Sequence, residues 1–387
     1  MTKRFLLVSF VAFELARSQS RESIPGDPLP GITGFEFERF RLGLEDFTEV
    51  ETPQDGLGPA FNGTSCAVCH SVPSIGGISS ITEVRAGRRN AEGAFEVLNG
   101  GTLFHLFSVP PHTCQVQIPA EANVIARRMP IPLFGAGLVE AIADADIAAG
   151  EDPDDLNGDG ISGRAARIED VATRRERIGR FGWKAQQATL LAFSADAYRN
   201  EMGITNDLFP EEFAAGVSAE QMQLCSVTRG LEDIRNRRTR QRGIDNFEAF
   251  MKFLAPPARG AINDDASTGE VIFQSIGCAG CHTPSFTTEV SANPLFDRKR
   301  VALYSDLLLH DVGTGDGIVQ SAAEANEIRT PALWGVRFRR PLLHDGSAST
   351  IEEAIRRHGG EATAVLEKFA ALDPGARQQL LAFLGSI

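Results

Sequence analysis

Cys66-Ala67-Val68-Cys69-His70 and Cys278-Ala279-Gly280-Cys281-His282 meet one geometric demand twice. Two cysteines separated by two residues reach the two vinyl groups of one porphyrin, and the adjacent histidine then lies under the iron as proximal ligand. A zinc site would draw four ligands together, whereas these motifs sit in opposite halves of the chain. A redox dithiol would not need histidine at the same offset twice. The motifs therefore read as two covalently bound haem c groups, with His70 and His282 on the irons. Few segments read as strands, and short helices suit the enclosure of a flat prosthetic group. The expected fold is mainly α: two cytochrome c-like haem domains with long loops and little β.

The strongest seam lies between the motifs. A helical stretch from Phe247 to Leu254 stops at Ala255-Pro256-Pro257, and the polar turn Asn263-Asp264-Asp265 follows. The next helix, capped by Ser267 or Thr268, runs through Val271, Ile272 and Ile276 into the second motif. This places an N-terminal haem domain at 25–255 and a C-terminal one at 256–387. A faint internal echo agrees with duplication: Arg128-Met129-Pro130 and Leu133-Phe134-Gly135 against Arg329-Thr330-Pro331 and Leu333-Trp334-Gly335. Near the end, Thr350 and Glu353 form a capping box for a helix from Ile351 to His358, stopped by Gly359-Gly360. A last helix opens at Asp373-Pro374 and carries Leu380, Leu381 and Phe383.

At 387 residues with 42% hydrophobic content, the chain can build two cores. Its net charge of −13 argues against nucleic acid or an anionic membrane and favours a basic or dipolar protein partner. The run Arg235, Arg237, Arg238, Arg240, Arg242 reads as a solvated helix face or loop. Residues 1–18 read as an export signal: Lys3 and Arg4 precede the apolar stretch Phe5 to Phe13, and Ala16-Arg17-Ser18 offers small residues for cleavage. Covalent haem attachment is completed outside the cytoplasmic membrane, so a periplasmic location follows. Of six cysteines, Cys114 and Cys225 lie outside the motifs. A disulfide between them suits an oxidising compartment and closes a loop of about 110 residues, worth roughly 4–5 kcal/mol in a chain-entropy account. Two buried thiols are the alternative.

Asp155-Leu156-Asn157-Gly158-Asp159-Gly160-Ile161 matches the opening of an EF-hand loop, with oxygen ligands Asp155, Asn157 and Asp159 ahead of the glycine. Ala166 stands where the bidentate glutamate belongs, so calcium and a metal-free Asx turn are both open readings.

Further stretches carry a family likeness: Phe61-Asn62-Gly63-Thr64-Ser65, Leu307-Leu308-Leu309-His310-Asp311, Arg329 to Gly335, Leu343-His344-Asp345-Gly346 and Thr350 to Gly360. From about Phe35 to Ile387 the chain resembles the bacterial di-haem oxidoreductase family, a branch of the di-haem cytochrome c peroxidase superfamily. The resemblance implies an enzyme in which the N-terminal haem meets hydrogen peroxide and a six-coordinate C-terminal haem admits electrons. The donor it implies is a small soluble cytochrome c or cupredoxin. It also implies calcium between the haems and, in many relatives, a homodimer. Two other readings stay open: an electron-transfer cytochrome with both haems six-coordinate, and an enzyme oxidising a protein or polymer on the same scaffold.

The resemblance points to His358 as distal ligand of the C-terminal haem, at the place where the peroxidases carry methionine. Two glycines beside it let backbone approach a porphyrin. It also sets His310 and His344 at the haem edge, in hydrogen-bonding or propionate roles. His105 and His112 are the histidines nearest the first motif and the candidates for a displaceable sixth ligand there. Peroxide chemistry needs a group over the open iron that moves a proton between the two oxygens. Glu140, after the Gly-rich run Phe134-Gly135-Ala136-Gly137, is the candidate, against a simple capping role. Trp183, one of two tryptophans, is the candidate for carrying electrons between haems, against core packing.

Overall fold

Two pairs of helices, each crossing at a glycine, frame the molecule. The computed structural model describes residues 23–110, 114, 117–212, 214–225 and 232–387. Residues 1–18, read above as an export signal, and His112 lie outside them. Six helices position the sites: α1 (Gly34–Thr48), α2 (Leu190–Met202), α3 (Gly243–Phe253), α4 (Asp264–Ile276), α5 (Ile351–Arg356) and α6 (Pro374–Leu384). Mainly helical architecture is as expected. Among the described residues no helix is long and apolar enough to cross a membrane.

Helix α1 crosses α3 at Gly43, where a Cβ would lie 2.3 Å from the Asn246 carbonyl oxygen. Helix α4 crosses α6 at Gly269, where a Cβ would lie 2.0 Å from the Gln379 carbonyl oxygen. Only a missing side chain lets the backbones come that close. Four residues beyond each contact stand Phe47 with Phe250, and Phe273 with Phe383, their ring centres 4.7 and 5.2 Å apart. The two pairs are thus built alike, and each buries its aromatic stripe beside one Cys-x-x-Cys-His motif.

The echo read in the sequence is also structural. Leu133 N donates to Gly76 O at 2.7 Å, and Leu333 N to Leu303 O at 2.8 Å. Gly135 and Gly335 follow with φ of 75° and 72°, a left-handed conformation that a side chain would strain. Helices α2 and α5 repeat each other too. Each is entered through a bridged loop, Phe181 to Gln187 or Leu342 to Ala348. Each is capped two residues later by a threonine, Thr189 on Ala192 N and Thr350 on Glu353 N. Trp183 and His344 hold the same place in these loops. The chain seam at Pro256 is not a seam in the packing, because Leu295, Phe296, Leu303, Leu307 and Leu308 join the core built by α1, α2 and α3.

Several local expectations are corrected. Helix α4 begins earlier: Asn263 is its cap, accepting from Ala266 N at 2.8 Å, with Asp264 and Asp265 favouring the positive end of the helix. Ser267 and Thr268 bond back to carbonyls one turn earlier instead. Helix α5 ends at Arg356, and Glu353 accepts from Ser349 N and Oγ rather than from its cap. Arg235, Arg237, Arg238 and Arg240 are exposed in a loop, but Arg242 is buried and bonds Asp245 at the start of α3.

The loop-like region after the first motif contains a sheet: β1 (Glu83–Arg89) pairs antiparallel with β2 (Phe95–Glu96), β3 (Leu103–Phe104) and β4 (Val124–Arg128). Its register sets Glu83 opposite Arg128. Glycine and short polar runs break the alternation in these segments, which hides them from periodicity.

Candidate haem sites

Each motif histidine is oriented by one backbone carbonyl. His70 Nδ1 lies 2.9 Å from Gly77 O, and His282 Nδ1 lies 3.0 Å from Tyr304 O. These carbonyls follow directly on the ones that hold Leu133 and Leu333. A carbonyl only accepts, so each Nδ1 carries the proton and each Nε2 keeps its lone pair for iron. Burial pushes the His282 imidazole down to about 4 and that of His70 below its usual value, which keeps both rings neutral, as a metal requires.

The cleft at His282 is lined by Cys278, Cys281, His310, His344, His358 and Trp183, among others. His358 Nδ1 donates to Ala354 O at 2.8 Å, so its Nε2 also keeps a lone pair. Burial lowers its pKa. The cleft therefore holds two neutral imidazoles of the same tautomer. His310 is of another kind. Its Nε2 donates to Asp306 at 2.9 Å and its Nδ1 to Glu361 at 2.7 Å. Burial opposes its charge, but Asp306, Cys281 and Glu361 hold its pKa up at about 12. An imidazolium has no lone pair for iron, so His310 is a hydrogen-bonding group, 3.6 Å from Cys281 Sγ.

In the cleft at His70, that histidine is the one histidine among the described lining residues. Helix α2 presents one face to it. Ala197, eight positions past the Thr189 cap, occupies the place that His358 holds eight positions past Thr350. Phe193, Ser194, Asn200 and Glu201 flank it at helical spacing and line the same cleft. Glu201 accepts from Asn62 Nδ2 at 2.7 Å and lies beside Glu83. Burial, and then the charge on Glu83, push Glu201 up to about 8. Glu83 is buried too, but Arg85 at 2.7 Å and Arg128 at 3.6 Å hold its pKa below the usual value.

Haem fits both clefts on a further observation. Arg128 Nη2, Arg339 Nη2 and His344 Nδ1 are buried without a hydrogen-bond partner. Arg128 lines the first cleft; Arg339 and His344 line the second. Buried guanidinium N–H donors left without an acceptor there suit the propionate carboxylates of haem. Trp183 lines both clefts. Its Nε1 donates to Met129 O at 2.8 Å, the Arg339 guanidinium lies 5.0 Å from its ring, and the His344 ring meets it edge-on at 6.1 Å.

Other sequence candidates land elsewhere. Glu140 lies outside the linings of both clefts and accepts from Leu190 N at 2.7 Å, where it caps α2. A carboxylate so placed serves the positive end of the helix. His105 also lies outside the linings and holds Asn200 O with Nε2 at 2.7 Å, its pKa pushed by burial down to about 4. In the EF-hand-like loop, Asp155 accepts from Gly160 N, Asn157 from Asp159 N and Asp159 from Ile161 N, an Asx-turn arrangement. Cys114 and Cys225 form a disulfide. Ala197, Glu201, Glu83, Arg128 and Arg339 escaped the sequence reading. Continuing the echo through Phe181–Ala197 against Leu342–His358 would have found the first.

Residues 112–387 match a family model described as "Di-haem oxidoreductase, putative peroxidase". Among solved structures, the chain is similar to a hydrazine synthase of Kuenenia stuttgartiensis (14% identity, all of both chains covered, TM-score 0.42). It is similar to a MauG-like protein associated with microbial copper homeostasis (16% identity, 94% of this chain and 92% of that one, TM-score 0.40). It is also similar to a variant of a dihaem peroxidase from Burkholderia thailandensis (12% identity, 75% and 91%, TM-score 0.31). No curated protein matches the sequence.

Proposed function

Because this chain belongs to the di-haem oxidoreductase family of peroxidase-like enzymes, we propose that it reduces hydrogen peroxide in the periplasm, at a haem c held by His70. Cys66 and Cys69 would attach this haem within residues 25–255, and Cys278 and Cys281 a second one within residues 256–387. When bound, the two groups supply electrons and, at the first, a vacant iron position for peroxide. One observation carries the reading: Ala197 stands where the other site has His358, so α2 offers the first iron no sixth ligand.

In this reading His282 and His358 would hold the second haem, which would then supply electron transfer. Trp183, in contact with both clefts, lies where a relay between them is needed. Arg128 and Arg339 would each offer a buried N–H donor to a propionate, and His310 would hydrogen-bond at the haem edge beside Cys281. One peroxide, two protons and two electrons become two waters. The electrons come from a small soluble cytochrome c or cupredoxin. The net charge of −13 supports a donor with a basic docking face. The Cys114–Cys225 disulfide supports the periplasmic location. A homodimer belongs to the same reading.

Electron paramagnetic resonance of the purified holoprotein, diferric and half-reduced, tests it. A high-spin ferric signal in either state is expected. Low-spin signals alone in both states would replace this reading with electron transfer between saturated haems.

A further inference from the structure

The residue that follows Trp183 is a lysine whose side chain is 0% exposed. Lys184 Nζ donates to Glu327 O at 2.6 Å and to Glu324 O at 2.8 Å, with Ala325 O at 3.4 Å. Asp316 Oδ1 lies 3.2 Å away, on a side chain that is itself 1% exposed. Each of these four groups is an acceptor. The three N–H groups of an ammonium serve them, where a neutral amine would turn a lone pair on one. Burial lowers the pKa of this ammonium, and the Asp316 charge opposes that.

The loop that supplies the acceptors is closed on itself. Gln320 and Ala323 pair across it, Gly317 N donates to Ala325 O at 2.9 Å, and the Glu327 carboxylate accepts from Glu324 N at 2.7 Å. The carbonyls of Glu324, Ala325 and Glu327 then converge on one point. Backbone carbonyls with a carboxylate are the donor set of a hard cation such as calcium. The same point joins the two haem sites. Asp316 accepts from Arg128 Nε at 2.6 Å, and Arg128 lines the first cleft. Ile328 and Arg329, which follow Glu327, line the second, and Arg329 N donates to Trp183 O at 2.8 Å.

The family resemblance implies calcium between the haems. Asp155, Asn157 and Asp159 of the EF-hand-like loop, however, turn their oxygens onto that loop's own N–H groups. We propose that the cation between the two haem sites is the Lys184 ammonium, seated in a cage of cation ligands, so that the chain fastens Trp183 and Arg128 together without a metal ion. A tethered ammonium cannot dissociate. The join between the clefts therefore holds whatever the calcium concentration around the protein.

The test uses Lys184→Ala in the holoprotein, which empties the cage and leaves its oxygens. Parent and variant are treated with a chelator and titrated with calcium chloride, and separately with potassium chloride. Calorimetry, thermal unfolding and electron paramagnetic resonance follow the titrations. The variant should take up one cation per chain more than the parent, with a Kd for calcium on the order of 0.1–1 mM. Before cation is added, its melting temperature should be lower by roughly 5 °C or more. Added cation should restore that temperature and the haem signals together. The haem signals of the parent should be the same with and without chelator. A variant that gains no cation overturns the proposal, destabilised or not, because the lysine would then be at most a structural cross-link. So does a parent protein whose haem signals change on chelation and return with calcium. If the variant does not fold, that comparison decides: unchanged signals support the ammonium, and changed ones overturn it. None of these readouts uses peroxide, so failure here leaves the peroxidase reading standing.

Discussion

Ala197 and His358 stand at the same offset, eight residues past a threonine cap, in two segments each entered through a bridged loop, Ala197 inside α2 and His358 two residues past the end of α5. In one copy an imidazole reaches into the cleft, and in the other a methyl group leaves space. Ala197→His should therefore saturate the first iron. The expected result is loss of the high-spin ferric signal, a low-spin signal in its place and peroxide turnover reduced at least about 100-fold. Retention of the high-spin signal in a folded, haem-loaded variant would show that the two helices do not stand over their irons alike.

The second iron answers to a different substitution. Methionine is a weaker donor to ferric iron than imidazole, and His/Met ligation raises the reduction potential. His358→Met should leave that haem low-spin and raise its potential by on the order of 100 mV, a small part of the ~0.8 V that axial ligands span. Potentiometric titration followed by optical spectroscopy measures it. An unchanged potential would remove His358 from the iron.

The haem anchors were legible because covalent attachment imposes a fixed local spacing, and Cys66, Cys69, His70 and their counterparts satisfy it without help from tertiary structure. The threonine cap of α5 and the Asp373-Pro374 start of α6 were legible for the same reason: caps act within one turn. The setting of Glu201 was not, because it is made by Glu83 of β1 and by Asn62, both distant in sequence. Glu140 misled because a carboxylate after a glycine-rich run fits a helix cap as readily as a catalytic site. Only the partner, Leu190 N, separates the two. The most informative residue, Ala197, carries no chemical signal, and its meaning lies in the comparison with His358.

The helix crossings give a stability test independent of haem chemistry. At Gly269 an added Cβ would meet the Gln379 carbonyl at 2.0 Å and Phe383 Cβ at 2.8 Å, neither able to retreat without shifting α6. Gly269→Val should cost about 2–3 kcal/mol in denaturant unfolding and lower haem occupancy of the second site. Gly34, at the start of α1, has nothing within 4 Å of a built Cβ. Gly34→Ala should be neutral or stabilising by up to about 1 kcal/mol. Equal losses at both positions would contradict the crossing geometry.

The Glu201 carboxyl also predicts how stability depends on pH. Its folded value of about 8 lies above the ordinary 4.5, because burial and the Glu83 charge favour the neutral form. Between these values the folded protein holds a proton that the unfolded chain has released, so stability falls as pH rises. The contribution is complete below about 4.5 and gone once pH passes about 8. Glu83 has the opposite sign: its lowered value stabilises above the ordinary range and is lost only in acid, outside this window. Glu201→Gln cannot ionise. Its melting temperature relative to the parent protein should therefore climb between about pH 5 and about pH 9, with most of the change complete near pH 8. A constant difference across that range would mean that Glu201 is ionised in the folded protein throughout.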